Sequence, residues 1–234
     1  MKFNSIYSLG SRCQNSEVLK HYGYREFSGF FDFMNTAKVE NIKHILADDF
    51  KEILKNDNNY SLVCNQTTFD PETGIPLHSS IRTSNKFYNK DYTDVHNAIF
   101  PHHNLNSDKD KHHFLQCKKR FKKLVNHNVL FNYTYNNWEN PITVEDMEFI
   151  VETLKKTHGF KNFKVCFIRV LISDESKINK NFDSEFFSNW DLYITHGSFT
   201  GGLFGNPSDN KNYIDIILNH GINEIRITKQ EIDK

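Results

Sequence analysis

Phe163-Lys-Val-Cys-Phe-Ile-Arg-Val-Leu-Ile172 is the stretch on which the fold turns. Its apolar residues follow one another almost without a break and are rich in β-branched and aromatic types, as in a strand covered on both faces. Just before it, Gly159 closes a helical stripe of Met147, Ile150, Val151 and Leu154, and Thr143-Val-Glu-Asp146 supplies a cap and early acids for that helix. Earlier still, Asn128-Val-Leu-Phe-Asn-Tyr-Thr134 reads as another strand. Strand, helix and strand at this spacing predict a right-handed βαβ unit in a parallel sheet.

Toward the C-terminus a polar loop leads to Trp190-Asp-Leu-Tyr-Ile-Thr195, a further strand, with His196-Gly197 at its end. A glycine-rich loop over 197–205, a helix over 213–218 and a last strand over 222–227 close the chain. Toward the N-terminus, Ser107 caps a helix with Asp108 and Asp110 in its first turn and Phe114, Cys117, Phe121, Leu124 and Val125 on its inner face. Its outer face, Lys118 to Lys123, is basic, which usually marks a solvated surface. Residues 65–105 are weakly patterned and broken by Pro71, Gly74, Pro76 and Pro101, with a strand or hairpin arm over 80–88. A strand over 60–64 and one or two helices over 39–54 come before. At the start, Phe3, Ile6, Tyr7 and Leu9 form a strand that runs into Gly10-Ser11, and Val18, Leu19 and Tyr22 form a short helix stopped by Gly23. The expected fold is a single α/β domain over 1–234: three layers, with a mainly parallel sheet and helices on both faces.

Composition narrows the function classes. With 29 basic and 29 acidic residues among 234, no global field draws in nucleic acid or an anionic membrane. The four cysteines, Cys13, Cys64, Cys117 and Cys166, form no CxxC pair, which fits reduced thiols in a cytoplasmic setting better than a disulfide framework or a zinc module. No run approaches the ~18 apolar residues of a membrane span, and the opening residues carry no signal-peptide core. His102-His103 and His112-His113 lack the spacing of a metal site, and the glycines of 197–205 lack the order of a phosphate-binding loop. Neither a metal nor another cofactor is expected.

The chemistry-bearing residues gather around Cys13. It lies where a strand hands over to a helix N-terminus, and there unpaired backbone N–H groups and the helix dipole favour a thiolate. Thiol catalysis needs a base and a group to orient that base. His102, in a loop just after Pro101, and His196, at the C-terminal end of a strand, are the candidate bases. Asp32, held among the aromatics of Arg25-Glu-Phe-Ser-Gly-Phe-Phe-Asp-Phe-Met34, must point outward or find a partner, and it or a nearby Asn is the candidate orienter. Backbone N–H groups around Gly10, Ser11 and Gln14 would hold an oxyanion, with His196 also available to line the cleft. Cys13 attack on a carbonyl makes a hydrolase or acyl transferase acting on a peptide or glycan substrate. Two other readings remain open: a glycan-modifying transferase in which Cys13 is structural while Asp32, His102 and His196 line a polar cleft, and a non-catalytic binding domain.

Ser8-Leu-Gly-Ser-Arg-Cys-Gln14, Tyr24-Arg25 and Phe31-Asp32-Phe33, with Phe100-Pro-His102, the basic Lys118-Lys-Arg-Phe121 and the strand Val129-Leu-Phe131, resemble the signature of the family of putative papain-like cysteine peptidases. That signature runs SLGxxCQ, an Arg, PFDW, a helix, then FxHD before a basic helix and a strand. The resemblance covers roughly the first 135 residues closely and the rest in element order. It implies Cys13 as nucleophile, His102 as base and Asp32 as orienter. Phe30 stands for the family's proline, Phe33 for its tryptophan and His103 for its aspartate. The parallel sheet expected here also differs from the antiparallel sheet against which papain-like enzymes set the cysteine helix.

Overall fold

A computed structural model of the chain describes residues 2–10, 14–34, 38–55, 60–69, 76–85, 103–136, 141–195, 199–200, 203–222 and 228–233, the backbone alone within 60–69, 76–85, 136 and 199–200. In chain order the elements are β1 (Ser5–Ser8), α1 (Gln14–His21), α2 (Val39–Ala47), α3 (Lys51–Leu54), β2 (Tyr60–Phe69), β3 (Pro76–Asn85), α4 (Asp108–Lys123), β4 (Val129–Asn136), α5 (Val144–Lys156), β5 (Phe163–Ile172), β6 (Lys177–Asp183), β7 (Phe187–Ile194), β8 (Phe199–Thr200), β9 (Leu203–Phe204), α6 (Pro207–Leu218) and α7 (Lys229–Asp233).

β4, α5 and β5 form the expected βαβ unit, with Phe131 opposite Val165 and Tyr133 opposite Phe167 in parallel register. Thr143 and Asp146 make a reciprocal capping box at the start of α5, and Gly159 follows the helix at φ +78°, where a side chain would be strained. The main sheet has the order β1-β4-β5-β7-β6. β1, β4, β5 and β7 are parallel, and β6 runs antiparallel on the edge beside β7.

Alternation along the strands sorts side chains between two cores. Phe131, Tyr133, Phe163, Val165 and Phe167 face one side, where they meet Ile42 and Ile45 of α2, Phe114 and Phe121 of α4, and Ile150 and Leu154 of α5. Leu130, Cys166, Ile168 and Leu192 face the other, against Val18 and Leu19 of α1 and Tyr213, Ile214 and Ile217 of α6. Helices therefore cover both faces of a mainly parallel main sheet, which makes the chain an α/β fold of three layers. Burial of each such large apolar side chain stabilises the fold by about 1.5–3 kcal/mol, so both faces are strongly specified.

Three elements differ from the sequence expectation. Residues 177–183, read as a polar loop, form β6; all but Ile178 are exposed, so no apolar period marks the strand, and its pairing with β7 creates it. The strand read over 60–64 runs on into the weakly patterned segment as β2, ending at Phe69, and pairs antiparallel with β3, which begins at Pro76, earlier than the arm read over 80–88; the two are separate from the main sheet. α6 begins earlier than expected, because Asn206 caps it by accepting from the Ser208 N–H and Pro207 occupies its first turn. Of the last strand, Ile222 makes one parallel bridge to Phe3; residues 223–227 lie outside the described residues.

Candidate active site

Parallel strands bring their C-terminal ends to one edge of a sheet, and the chain leaving β1 there is tied down by hydrogen bonds. The Leu9 N–H donates to the Asn132 carbonyl at 2.8 Å, and the Thr134 N–H donates to the Gly10 carbonyl at 3.3 Å. Gly10 has φ +98°, a conformation that favours glycine at this turn. From α1, the Asn15 amide donates to the same Gly10 carbonyl and accepts from the Thr134 hydroxyl at 2.5 Å. Gly10 and Asn15 are thus fastened to β4 and to each other. Gln14 opens the helix, and its amide nitrogen is buried without a hydrogen-bond partner among the described residues. Ser11 and Cys13 themselves, like His102 and His196, lie outside the described residues.

Asp32 is described, and it is buried with 2% exposure. It has the partner its surroundings demand: Arg25 Nε lies 3.2 Å from Oδ2, and the Gly29 N–H donates to Oδ2 at 2.7 Å. Burial pushes the carboxyl up from 3.8 to about 6, outweighing the Arg25 guanidinium and the Gly29 N–H, which pull it down. At neutral pH the pair is ionised, while mild acid neutralises it. Arg25 is itself fixed by Glu17 and Ser28, each at 3.3 Å, and its guanidinium lies over the Phe33 ring. Ser16 of α1 donates to the Asp32 carbonyl at 3.2 Å, so the first turn of that helix is bonded to the Asp32 backbone.

The floor under Asp32 is tight. The Phe30 N–H donates to the Tyr7 hydroxyl of β1 at 2.6 Å. A Cβ placed on Gly29 would come to 2.9 Å from the Tyr7 ring and 3.1 Å from Asp32 Oδ1. Glycine is required at this close approach.

His103, next to His102 in the chain, packs on the other flank of the same segment. Its ring meets Phe33 edge-on at 5.2 Å and stacks on His113 at 5.7 Å. Its Nδ1 lies 3.2 Å from Asp110 Oδ1, and Asp110 Oδ2 accepts from the Asn104 N–H at 2.7 Å. Burial alone would raise the Asp110 carboxyl, but the Asn104 N–H and His103 outweigh it and hold it below the usual range. The acid absent from position 103 is thus supplied, for His103, from the first turn of α4. Below this pair, His113 Nε2 is 3.6 Å from Cys117 Sγ. Burial pushes the Cys117 thiol up to about 12, so it is no thiolate at neutral pH. Cys166, buried under α6, is likewise pushed up to about 12.

The chain just before His196 leaves β7 at Thr195, whose N–H donates to Asp209 Oδ2 at 3.2 Å and whose hydroxyl accepts from Asn206 at 2.6 Å. Thr195 is therefore anchored to the start of α6. Among the described residues no group of three or more His, Cys, Asp or Glu side chains converges to hold a metal ion, and no helix is long and apolar enough to cross a membrane.

The sequence resemblance rested on the opening strand, Arg25, the Asp32 segment, the basic stretch of α4 and β4, which pack around Tyr7, Phe121 and Phe131, and on residues 100–102, which lie outside the described residues. A family model described as putative papain-like cysteine peptidase (DUF1796) matches residues 4–173, from β1 to the last strand of the βαβ unit. The chain belongs to this family. The match includes Cys13, Asp32 and His102 and stops short of His196. No curated protein and no solved structure matches the chain. Sequence reasoning named Asp32 but missed what holds it. Arg25, which the family signature carries, was the available signal; nothing in the spacing pointed to Gly29 or to Asp110 as the partner of His103.

Proposed function

We propose that this member of the papain-like cysteine peptidase family is a thiol-dependent hydrolase or acyl transferase, with Cys13 as nucleophile and His102 as base. Asp32 serves as the buried anion of the site. His102 takes the thiol proton as Cys13 sulfur attacks a carbonyl carbon, and backbone N–H groups between Gly10 and Gln14 hold the resulting oxyanion. Collapse breaks the bond to the leaving group, which receives the proton from His102. The Cys13 thioester then passes its acyl group to water or to a second nucleophile, deprotonated by the same imidazole, and the thiol is restored. One observation carries the reading: a buried carboxylate, ion-paired to Arg25, sits in a segment bonded on one side to the first turn of α1 and packed on the other against His103. These are the described neighbours in the chain of Cys13 and His102. The parallel sheet argues neither way, because a fold does not specify a chemistry.

Iodoacetamide labelling across a pH series, read residue by residue by mass spectrometry, tests the nucleophile. Cys13 is expected to alkylate with a midpoint below the ordinary thiol value of about 8.5. Cys117 and Cys166 stay unlabelled in the folded protein, their thiols being buried and pushed up to about 12. Turnover of a peptide or ester substrate is expected to vanish in Cys13→Ala. An unreactive Cys13, or full turnover in that variant, overturns the proposal.

A further inference from the structure

Beside the Asp32 segment a cleft of about 280 Å³ opens on the surface. Its wall carries Lys20, Arg25, His113, Arg120 and Lys229 against a single carboxylate, Glu26. The volume is below the roughly 300–1,000 Å³ of sites that enclose a drug-sized molecule, so it suits a substituent and not a whole ligand. Arg25 is shared: its Nε holds Asp32, and the same residue lines this cleft.

One of the lining cations, Arg120, already holds a carboxylate from outside the lining. The Asp233 carboxylate, at the end of α7, lies across the Arg120 fork with Nε to Oδ1 at 2.6 Å and Nη2 to Oδ2 at 3.2 Å. This two-pronged geometry is how guanidinium groups recognise carboxylates and phosphates. α7 is anchored by Ile232, buried in the core, whereas the Asp233 side chain is 39% exposed. With the Asp233 side of the pair this exposed, water screens part of its attraction. Arg120 and Lys229 already act on Asp233; an incoming oxyanion in the cleft adds the reach of Lys20.

We propose that this cleft binds an oxyanion, a carboxylate or phosphate group borne by the substrate of the thiol site, in competition with Asp233. Only the word substrate rests on the Cys13 reading. Binding itself is measurable without turnover.

Isothermal titration of the full chain at low ionic strength with inorganic phosphate, and separately with glutarate, tests the idea on wild type, Asp233→Asn and Arg120→Gln. Both variants break the same ion pair, so a purely structural role would move affinity the same way in each. A binding role moves it in opposite directions. Asp233→Asn frees the fork and should tighten binding about two- to fivefold, the worth of an exposed ion pair. Arg120→Gln should weaken it at least about tenfold, the worth of a hydrogen bond to a charged group. Lys229→Gln, which leaves the Arg120 pair intact, should also weaken it. Saturable binding of either probe with this pattern supports the proposal, and the stronger probe identifies the oxyanion. No saturable binding to wild type or Asp233→Asn, or equal-sign shifts in the two ion-pair variants, overturns it. A cleft that binds in a protein whose Cys13 resists alkylation keeps this inference and removes the peptidase reading; a reactive Cys13 beside a cleft that binds neither probe does the reverse.

Discussion

Replacing Asp32 with Asn sets burial against the Arg25 ion pair and reads which wins. The carboxyl is 2% exposed, and its pKa rises from 3.8 to about 6 on folding. Between those values the unfolded chain has released the proton while the folded chain keeps it. Stability therefore falls as pH rises, by about 1.4 kcal/mol per pH unit for one proton. Over the whole shift the loss is about 3 kcal/mol, an order-of-magnitude figure. The contribution is fully present below about pH 4, is lost as pH rises through about 6, and is constant above that. An Asn side chain cannot titrate, yet its carbonyl can still accept from the Gly29 N–H. Urea unfolding of both proteins at matched pH isolates Asp32, because every other group cancels in the difference. The stability of Asp32→Asn relative to wild type should rise by about 3 kcal/mol between about pH 3 and pH 8. A difference constant within about 0.5 kcal/mol would refute the argument. A difference that falls with pH would mean that the Arg25 pair, at 3.2 Å, outweighs burial and holds the pKa below 3.8.

Two substitutions probe the surroundings of the site by melting. Gly29→Ala should cost about 1–3 kcal/mol, since its Cβ would press to 2.9 Å on the fully buried Tyr7 ring; an unchanged urea midpoint would show that the Asp32 turn yields freely. Tyr213→Phe removes the hydroxyl that accepts from the Asn132 amide between β4 and α6. It should cost about 1–3 kcal/mol, because a buried donor is left unpaired, and a neutral result would mean that the amide finds another acceptor.

The site was legible in the sequence where the signal was local. Gly10 at the end of β1, the helix starting at Gln14 and the glycine at 23 all follow from residue types that the backbone requires at those points. Asp32 stood out because a carboxylate among phenylalanines must find a partner. Its partner did not stand out, since no periodicity links Arg25 to Asp32 through an irregular segment. The pairing of His103 with Asp110 was hidden for the same reason: a loop residue meets the first turn of a helix, and only the path of the chain between them brings the two together.

The sequence by itself determined the layers. The strand-type runs of β4 and β5, the capped stripe of α5 and the inner face of α4 each carry their own apolar signal, and burial of those signals leaves few arrangements besides helices on both sides of a parallel sheet. Tertiary structure decided what had no period. β6 is a strand because β7 offers it hydrogen bonds at the sheet edge. The same holds for charge: Asp32 is pushed up to about 6 and Cys117 to about 12 because distant elements exclude water from them, and desolvation depends on everything that surrounds a group in space.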